Sequence, residues 1–182
     1  MTLANKITIC RIVLIPIFAV LYLQQGEYPA LKYWTLGVFA LAILTDFLDG
    51  LVARARKQKT QLGSFLDPLA DKLLITVTYT LLTYSGRVAL WVLVTIFFRD
   101  LIIVLGWVII YILTSYSEVE PRYLGKASTF MQMVSAIVIL LMPVGPSIIQ
   151  LWLVRAMVLV TVASVIDYIA VYSKRLEPVP YD

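Results

Sequence analysis

Residues 45–72 read TDFLDGLVARARKQKTQLGSFLDPLADK. Four carboxylates, Asp46, Asp49, Asp67 and Asp71, stand here beside Gly50, Gly63 and Arg54, while the chain on either side is almost wholly apolar. An α-helix turns by about 100° per residue, so Asp46, Asp49, Gly50, Ala53 and Arg54 fall within one broad arc. Asp67 and Asp71, at i and i+4, share a face of the following segment. Two facing helices can therefore offer four oxygen donors to one pocket, with Gly50 and Ala53 leaving room for a ligand.

Composition frames that pocket. Of 182 residues, 61% are hydrophobic, and the mean hydropathy is +0.90. That is too apolar for a soluble fold of this size, and repeated apolar runs of about 20 residues imply transmembrane helices. The chain reads as an integral membrane protein. It has no histidine, which excludes imidazole catalysis and histidine-bound zinc, and its one cysteine, Cys10, excludes an internal disulfide or a multi-cysteine metal site. The first apolar run lacks a small-residue cleavage site and reads as a span, not a removable leader.

Outward from the acidic stretch, spans are expected over 7–24, 31–53, 64–84, 88–113, 126–142 and 148–172. Pro16 should kink the first. Pro68 is tolerable in a first helical turn, so the third helix is expected to begin close to Asp67. Six spans put both termini on one side. The amino end, the loop with Arg54, Arg56, Lys57 and Lys59, the segment around Arg122 and Lys126, and the tail with Lys174 and Arg175 hold nearly all the basic residues outside the apolar cores. The opposite loops hold only Lys32 and Arg87, which places both termini and the acidic stretch in the cytoplasm. The expectation is one all-α membrane domain over 1–182, with six transmembrane helices. The net charge of +4 fits topology and anionic lipid, and no aromatic-rich polar groove suggests nucleic acid.

At the start of the chain, Asn5, Thr8 and Arg11 recur every three residues. On a helix at the membrane surface they share a loose face, which either lines a headgroup site or caps and anchors the helix. Arg155 and Asp167 on the sixth span read as interhelical partners of Asp100 or Arg99 on the fourth, ahead of a lining for a lipid entrance. Met131, Met133, Met142 and the tryptophans read as packing or lipid-facing positions.

A charge at membrane depth costs roughly 2.5 to 3.5 kcal/mol, and four neighbouring carboxylates also repel one another. Hard divalent cations take oxygen ligands, and two of them bridged by carboxylates can also bind phosphate oxygens. Arg54 suits a further phosphate. The plainer reading, helix caps paired with nearby Arg and Lys, suits one aspartate better than four at this spacing. A cation transporter is the alternative from another class. Against it, the acids cluster at one membrane face beside Arg54 and glycines, with no acidic ladder across the other spans.

The pattern Asp46-x2-Asp49-Gly50-x2-Ala53-Arg54-x8-Gly63-x3-Asp67-x3-Asp71 resembles the complete signature of the CDP-alcohol phosphotransferase family, and Asn5-x2-Thr8-x2-Arg11 resembles an amino-terminal pattern of its phosphatidyltransferase branch. The resemblance covers essentially the whole chain. It implies a six-helix membrane bundle, commonly a homodimer, that moves a phosphatidyl group from CDP-diacylglycerol to an alcohol and releases CMP. By the same resemblance Asp46, Asp49, Asp67 and Asp71 bind two Mg²⁺ or Mn²⁺ ions, and Asp71 is also the general base. Asn5, Thr8, Asp49, Gly50, Arg54, Thr60 and Gly63 lie against the CDP moiety. A metal-bound carboxylate is a weak base, so Asp71 can also act by positioning the hydroxyl.

Two acceptors stand nearly level. The chain resembles phosphatidylglycerophosphate synthases, which use glycerol 3-phosphate, and CMP-forming cardiolipin synthases, which use phosphatidylglycerol. In the former the fourth span typically carries Arg-Glu and a later second Arg, and the fifth opens with Gly-Lys-x-Lys-Thr. Here Arg99 precedes Asp100, Trp107 stands at the second position, and the fifth span opens Gly125, Lys126, Ala127, Ser128, Thr129. A phosphomonoester carries roughly one more negative charge than a diester, so fewer cations favour the lipid acceptor. Arg99, Arg122 and Lys126 remain as candidate phosphate ligands.

Overall fold

The computed structural model describes residues 3–56, 61–114, 123–143, 145 and 147–175, with side chains for all of these except 3–7, 46–56, 61–69, 71, 107–114 and 172–175. Among the described residues every regular element is helical: α1 (Leu3–Gln24), α2 (Leu31–Arg56), α3 (Gln61–Tyr84), α4 (Leu90–Thr114), α5 (Tyr123–Leu141) and α6 (Ile148–Arg175). They fall into two compact units, Met1–Arg87 and Val88–Asp182.

Each expected span has its helix, but the third starts earlier than Pro68 suggested. It begins at Gln61, so Pro68 lies past the second turn, where its missing N–H withholds the bond to the carbonyl of residue 64. Proline is tolerated at such positions in membrane helices because neighbouring groups take up the freed carbonyl. Pro16 likewise sits inside α1, which runs on past it to Gln24.

Among the described residues, α5 and the Ile148–Val171 part of α6 are long and apolar enough to cross a membrane. The apolar stretches of α1 and α2, Thr8–Gln24 and Leu31–Thr45, are shorter. The distribution of side chains agrees with a membrane setting. Trp34, Phe97, Phe98, Trp152, Leu159 and Ile166 are exposed, while Arg11, Arg99, Ser128, Gln132, Thr161 and Ser164 are buried. Water would favour the reverse arrangement, whereas lipid rewards apolar outer faces and polar contacts between helices.

In the first unit α1 packs against both α2 and α3. Its buried residues are Thr8, Arg11, Ile15, Phe18 and Tyr22, spaced alternately by three and four. That is the spacing of a seam between helices crossing at a shallow angle. The Phe18 ring stacks 5.1 Å from that of Phe39 on α2, and Tyr22 Oη lies 2.7 Å from Ser85 Oγ just past α3. Buried threonines return their hydroxyls to their own helices, Thr35 to the Leu31 carbonyl and Thr78 to that of Leu74. α3 ends in a Schellman motif: Arg87 N–H donates to Leu82 O, Gly86 N–H donates to Thr83 O, and Gly86 takes φ 71°.

In the second unit α6 is the central helix, packed against α4 and α5. Val154, Met157, Thr161, Ser164 and Tyr168 form its buried seam, again spaced by three and four. Tyr168 lies over Gly106 of α4 and donates its hydroxyl to the Ile103 carbonyl at 3.2 Å. Only glycine allows that approach, because a Cβ at residue 106 would stand 2.6 Å from Tyr168 Cε1.

Candidate functional site

The acidic stretch forms the adjoining ends of two helices. α2 carries Asp46, Asp49, Gly50 and Arg54 towards its C-terminus, and α3 carries Gly63, Asp67 and Asp71 towards its N-terminus. The side chains of these residues, like that of Asn5, lie outside the described set, as do Thr60 and Arg122 altogether.

The described contacts give the direction of α2 along α1. The short 25–30 turn runs α2 back along α1, and the Phe18–Phe39 ring contact sets their register. Thr8 and Arg11 are both 0% exposed. They form the polar end of the α1 seam, inside the helix packing, and neither acts as an exposed surface anchor.

The chemistry of the donor set fits a hard divalent cation: four carboxylates at one end of two helices, no imidazole, and a thiol, Cys10, that is exposed on α1. Among the described residues no group of three or more His, Cys, Asp or Glu could hold a metal, and the four aspartates fall outside that set.

In the second unit Arg99 is 5% exposed and tied to three partners. Its Nε donates to Ser164 Oγ on α6 at 3.3 Å, one terminal nitrogen donates to the Gly125 carbonyl on α5 at 3.1 Å, and the other donates to Asp100 Oδ1 at 2.7 Å. One guanidinium thus joins three helices, and Gly125 is the residue before Lys126, which is exposed. The ion pair of Arg99 is with its neighbour Asp100, while Arg155 lies over the Trp152 ring of its own helix at 5.5 Å. For Arg155, then, a cation–π contact within α6 replaces the expected pairing with Arg99 or Asp100.

Sequence reasoning did not single out the buried cluster between α5 and α6. Gln132 Nε2 donates to Ser128 Oγ and Thr161 Oγ1 at 3.4 and 3.2 Å, and Thr161 donates to the Met157 carbonyl at 2.9 Å. The signal was present as polar residues at i and i+4, Ser128 and Gln132, on an otherwise apolar helix.

A family model described as CDP-alcohol phosphatidyltransferase matches residues 1–166. A "Probable phosphatidylglycerophosphate synthase" of Mycobacterium tuberculosis (strain ATCC 25618 / H37Rv) is 34% identical over 171 residues, covering 92% of this chain and 80% of that protein. The CDP-diacylglycerol–glycerol-3-phosphate 3-phosphatidyltransferase of Bacillus subtilis (strain 168) is 32% identical over 149 residues, 76% of each chain. The cardiolipin synthase (CMP-forming) of Homo sapiens is 33% identical over 161 residues, 79% of this chain and 51% of that protein.

Proposed function

The chain belongs to the CDP-alcohol phosphatidyltransferase family, a membrane-bound family of CDP-diacylglycerol-dependent transferases, and from that premise we propose that it makes phosphatidylglycerophosphate from CDP-diacylglycerol and glycerol 3-phosphate, releasing CMP. The family match over residues 1–166, which includes all four aspartates at the α2 and α3 ends, supports the phosphatidyl transfer, and the Mycobacterium tuberculosis and Bacillus subtilis relatives support glycerol 3-phosphate as the acceptor.

Asp46, Asp49, Asp67 and Asp71 hold two Mg²⁺ or Mn²⁺ ions. Bound there, the ions supply positive charge to the pyrophosphate and to the departing CMP. Arg54 offsets further phosphate charge, and Asn5, Thr8, Gly50, Thr60 and Gly63 seat the nucleotide. The acceptor hydroxyl oxygen attacks the phosphatidyl phosphorus, the bond from that phosphorus to the CMP oxygen breaks, and Asp71 orients the hydroxyl and receives its proton. Arg122 and Lys126 attract the acceptor phosphate, and Arg99 fixes the head of α5 on which Lys126 stands. The whole chain, 1–182, serves as one catalytic membrane domain with six spans, both termini and the site at the cytoplasmic face, and two copies forming a homodimer in the lipid.

A second reading, cardiolipin synthesis from phosphatidylglycerol, is supported by the human relative and by the Arg99 bonds. With Arg99 engaged inside the second unit and Trp107 and Ser128 at positions where a glycerol 3-phosphate enzyme carries cations, less charge is left for a phosphomonoester. The test is to incubate the purified protein with labelled CDP-diacylglycerol and each acceptor, and to identify the lipid. Phosphatidylglycerophosphate establishes the first reading and cardiolipin the second. A product with another alcohol and neither of these overturns both.

A further inference from the structure

Two arginines stand well inside the helices of the second unit. Arg99 is buried and bonded to Asp100, Ser164 and Gly125, whereas Arg155 is exposed on α6. Among the described residues Arg155 meets only an aromatic face: its guanidinium carbon lies 5.5 Å from the centre of the Trp152 ring. A cation over a ring keeps its N–H donors uncommitted. The described acids of this unit are Asp100 and Asp167. Asp100 pairs with Arg99, which bonds Ser164, nine residues and about 14 Å of rise along α6 from Arg155. Asp167 is twelve residues on, about 18 Å. The Arg155 side chain points the other way, over Trp152 towards the start of α6.

The apolar span Ile148–Val171 has 24 residues, about 36 Å of helix against a hydrocarbon core of about 30 Å. Centred in that core, α6 puts the Arg155 Cα, about 10 Å in from Ile148, roughly 7 Å below the hydrocarbon boundary. Helical side chains lean towards the N-terminus, and this one lies over the residue three positions back, so its length carries the charge up towards the headgroups. Ile148, Leu151, Trp152 and Leu159 around it are exposed apolar side chains, the surface that acyl chains cover. A guanidinium in that setting is costly unless an anion meets it.

The geometry points to a lipid-binding site on the outer surface of α6, in which Arg155 grips the phosphate of an anionic phospholipid and Trp152 supports the guanidinium from one side. An arginine fork matches two phosphate oxygens at once. Tryptophan belongs at the same level, because its ring is apolar and its N–H is not, which suits the edge of the hydrocarbon. The ligand is a phospholipid whose headgroup has no ammonium, since an ammonium beside the phosphate competes with Arg155 for it. The site uses residues of the second unit only and does not depend on which acceptor the enzyme takes.

The test uses the full chain in phosphatidylcholine vesicles, with Trp34, Trp91 and Trp107 replaced by phenylalanine so that Trp152 is the sole indole. Quenching by brominated phosphatidylglycerol is compared with quenching by brominated phosphatidylcholine at equal mole fraction. Phosphatidylglycerol should be enriched at Trp152 roughly fivefold, the ratio that ~1 kcal/mol for one basic residue gives. Arg155→Gln should bring the two lipids to parity, and Arg155→Lys, which keeps the charge without the fork, should retain part of the excess. Asp67→Asn should keep the full enrichment. Its loss there would put the lipid at the phosphotransfer site and overturn the proposal. If the triple phenylalanine chain does not fold, the measure is phosphatidylglycerol retained per chain through a detergent wash, and a fall of one lipid per chain in Arg155→Gln is the supporting result. Equal quenching by both lipids in the parent, or an excess that survives Arg155→Gln, overturns the proposal. So does a change of oligomeric state in Arg155→Gln, which would give that face of α6 to a second copy of the chain.

Discussion

Replacing Gly106 with alanine tests the packing of the second unit at one atom. The added Cβ would stand 2.6 Å from Tyr168 Cε1 and 2.7 Å from its hydroxyl oxygen, distances that force the ring to move. The ring cannot give way freely, because Tyr168 is 8% exposed and its hydroxyl is bonded to the Ile103 carbonyl. Overpacking of this kind costs about 1 to 3 kcal/mol, and losing a hydrogen bond about 1 kcal/mol more. Alanine gains up to about 1 kcal/mol over glycine in helix propensity. The net expectation is a loss of about 1 to 3 kcal/mol, or a fall of roughly 3 to 9 °C in apparent Tm at about 3 °C per kcal/mol for a chain of this length. The assay is thermal unfolding in detergent, with Gly37→Ala as control. Gly37 lies on α2 with nothing within 4 Å of an added Cβ, so there the propensity gain stands alone and stability holds or rises slightly. Adding Tyr168→Ala to Gly106→Ala should cost less than Tyr168→Ala by itself, because removing the ring also relieves the clash. A Gly106→Ala Tm within about 2 °C of the parent, or strictly additive double-variant losses, would refute the close approach of α6 to α4.

Asp67→Asn should abolish CMP release and leave the Tm in EDTA near that of the parent; retained turnover removes Asp67 from the metal site. Chelation by EDTA should stop turnover, and Mn²⁺ or Mg²⁺ should restore it, read as CMP released; activity indifferent to chelation counts against a two-ion site. Arg99→Gln should lower the Tm by roughly 10 °C, since it breaks a buried ion pair and frees the head of α5, and should raise the acceptor KM more than it lowers kcat. An unchanged Tm with a raised KM would make Arg99 a direct acceptor ligand instead.

The nucleotide-activated chemistry was legible because it needs charge where the membrane disfavours it. Asp46, Asp49, Asp67 and Asp71 stand out against an apolar background, and their spacing names the family before any coordinate is known. Six helices were legible for the same reason, with boundaries shifted by a few residues. The exception was the start of α3, where the Pro68 rule assumes a helix surrounded by water.

Which face of each helix turns inward was not legible. Val13, Ile17 and Val20 are as apolar as Ile15 and Phe18, yet the first three are exposed and the other two buried. In a soluble protein the hydrophobic effect sorts such faces, but lipid tails are as apolar as leucine and exert no such preference. What decides is close packing and the satisfaction of polar groups. The burial of Arg11, the three-helix bond of Arg99 and the seat of Tyr168 on Gly106 therefore belong to the tertiary structure alone. The sequence determined what chemistry the chain can do, because charges in an apolar chain are conspicuous. Only the packed helices decided which of those charges meet, because that depends on distances between segments far apart along the chain.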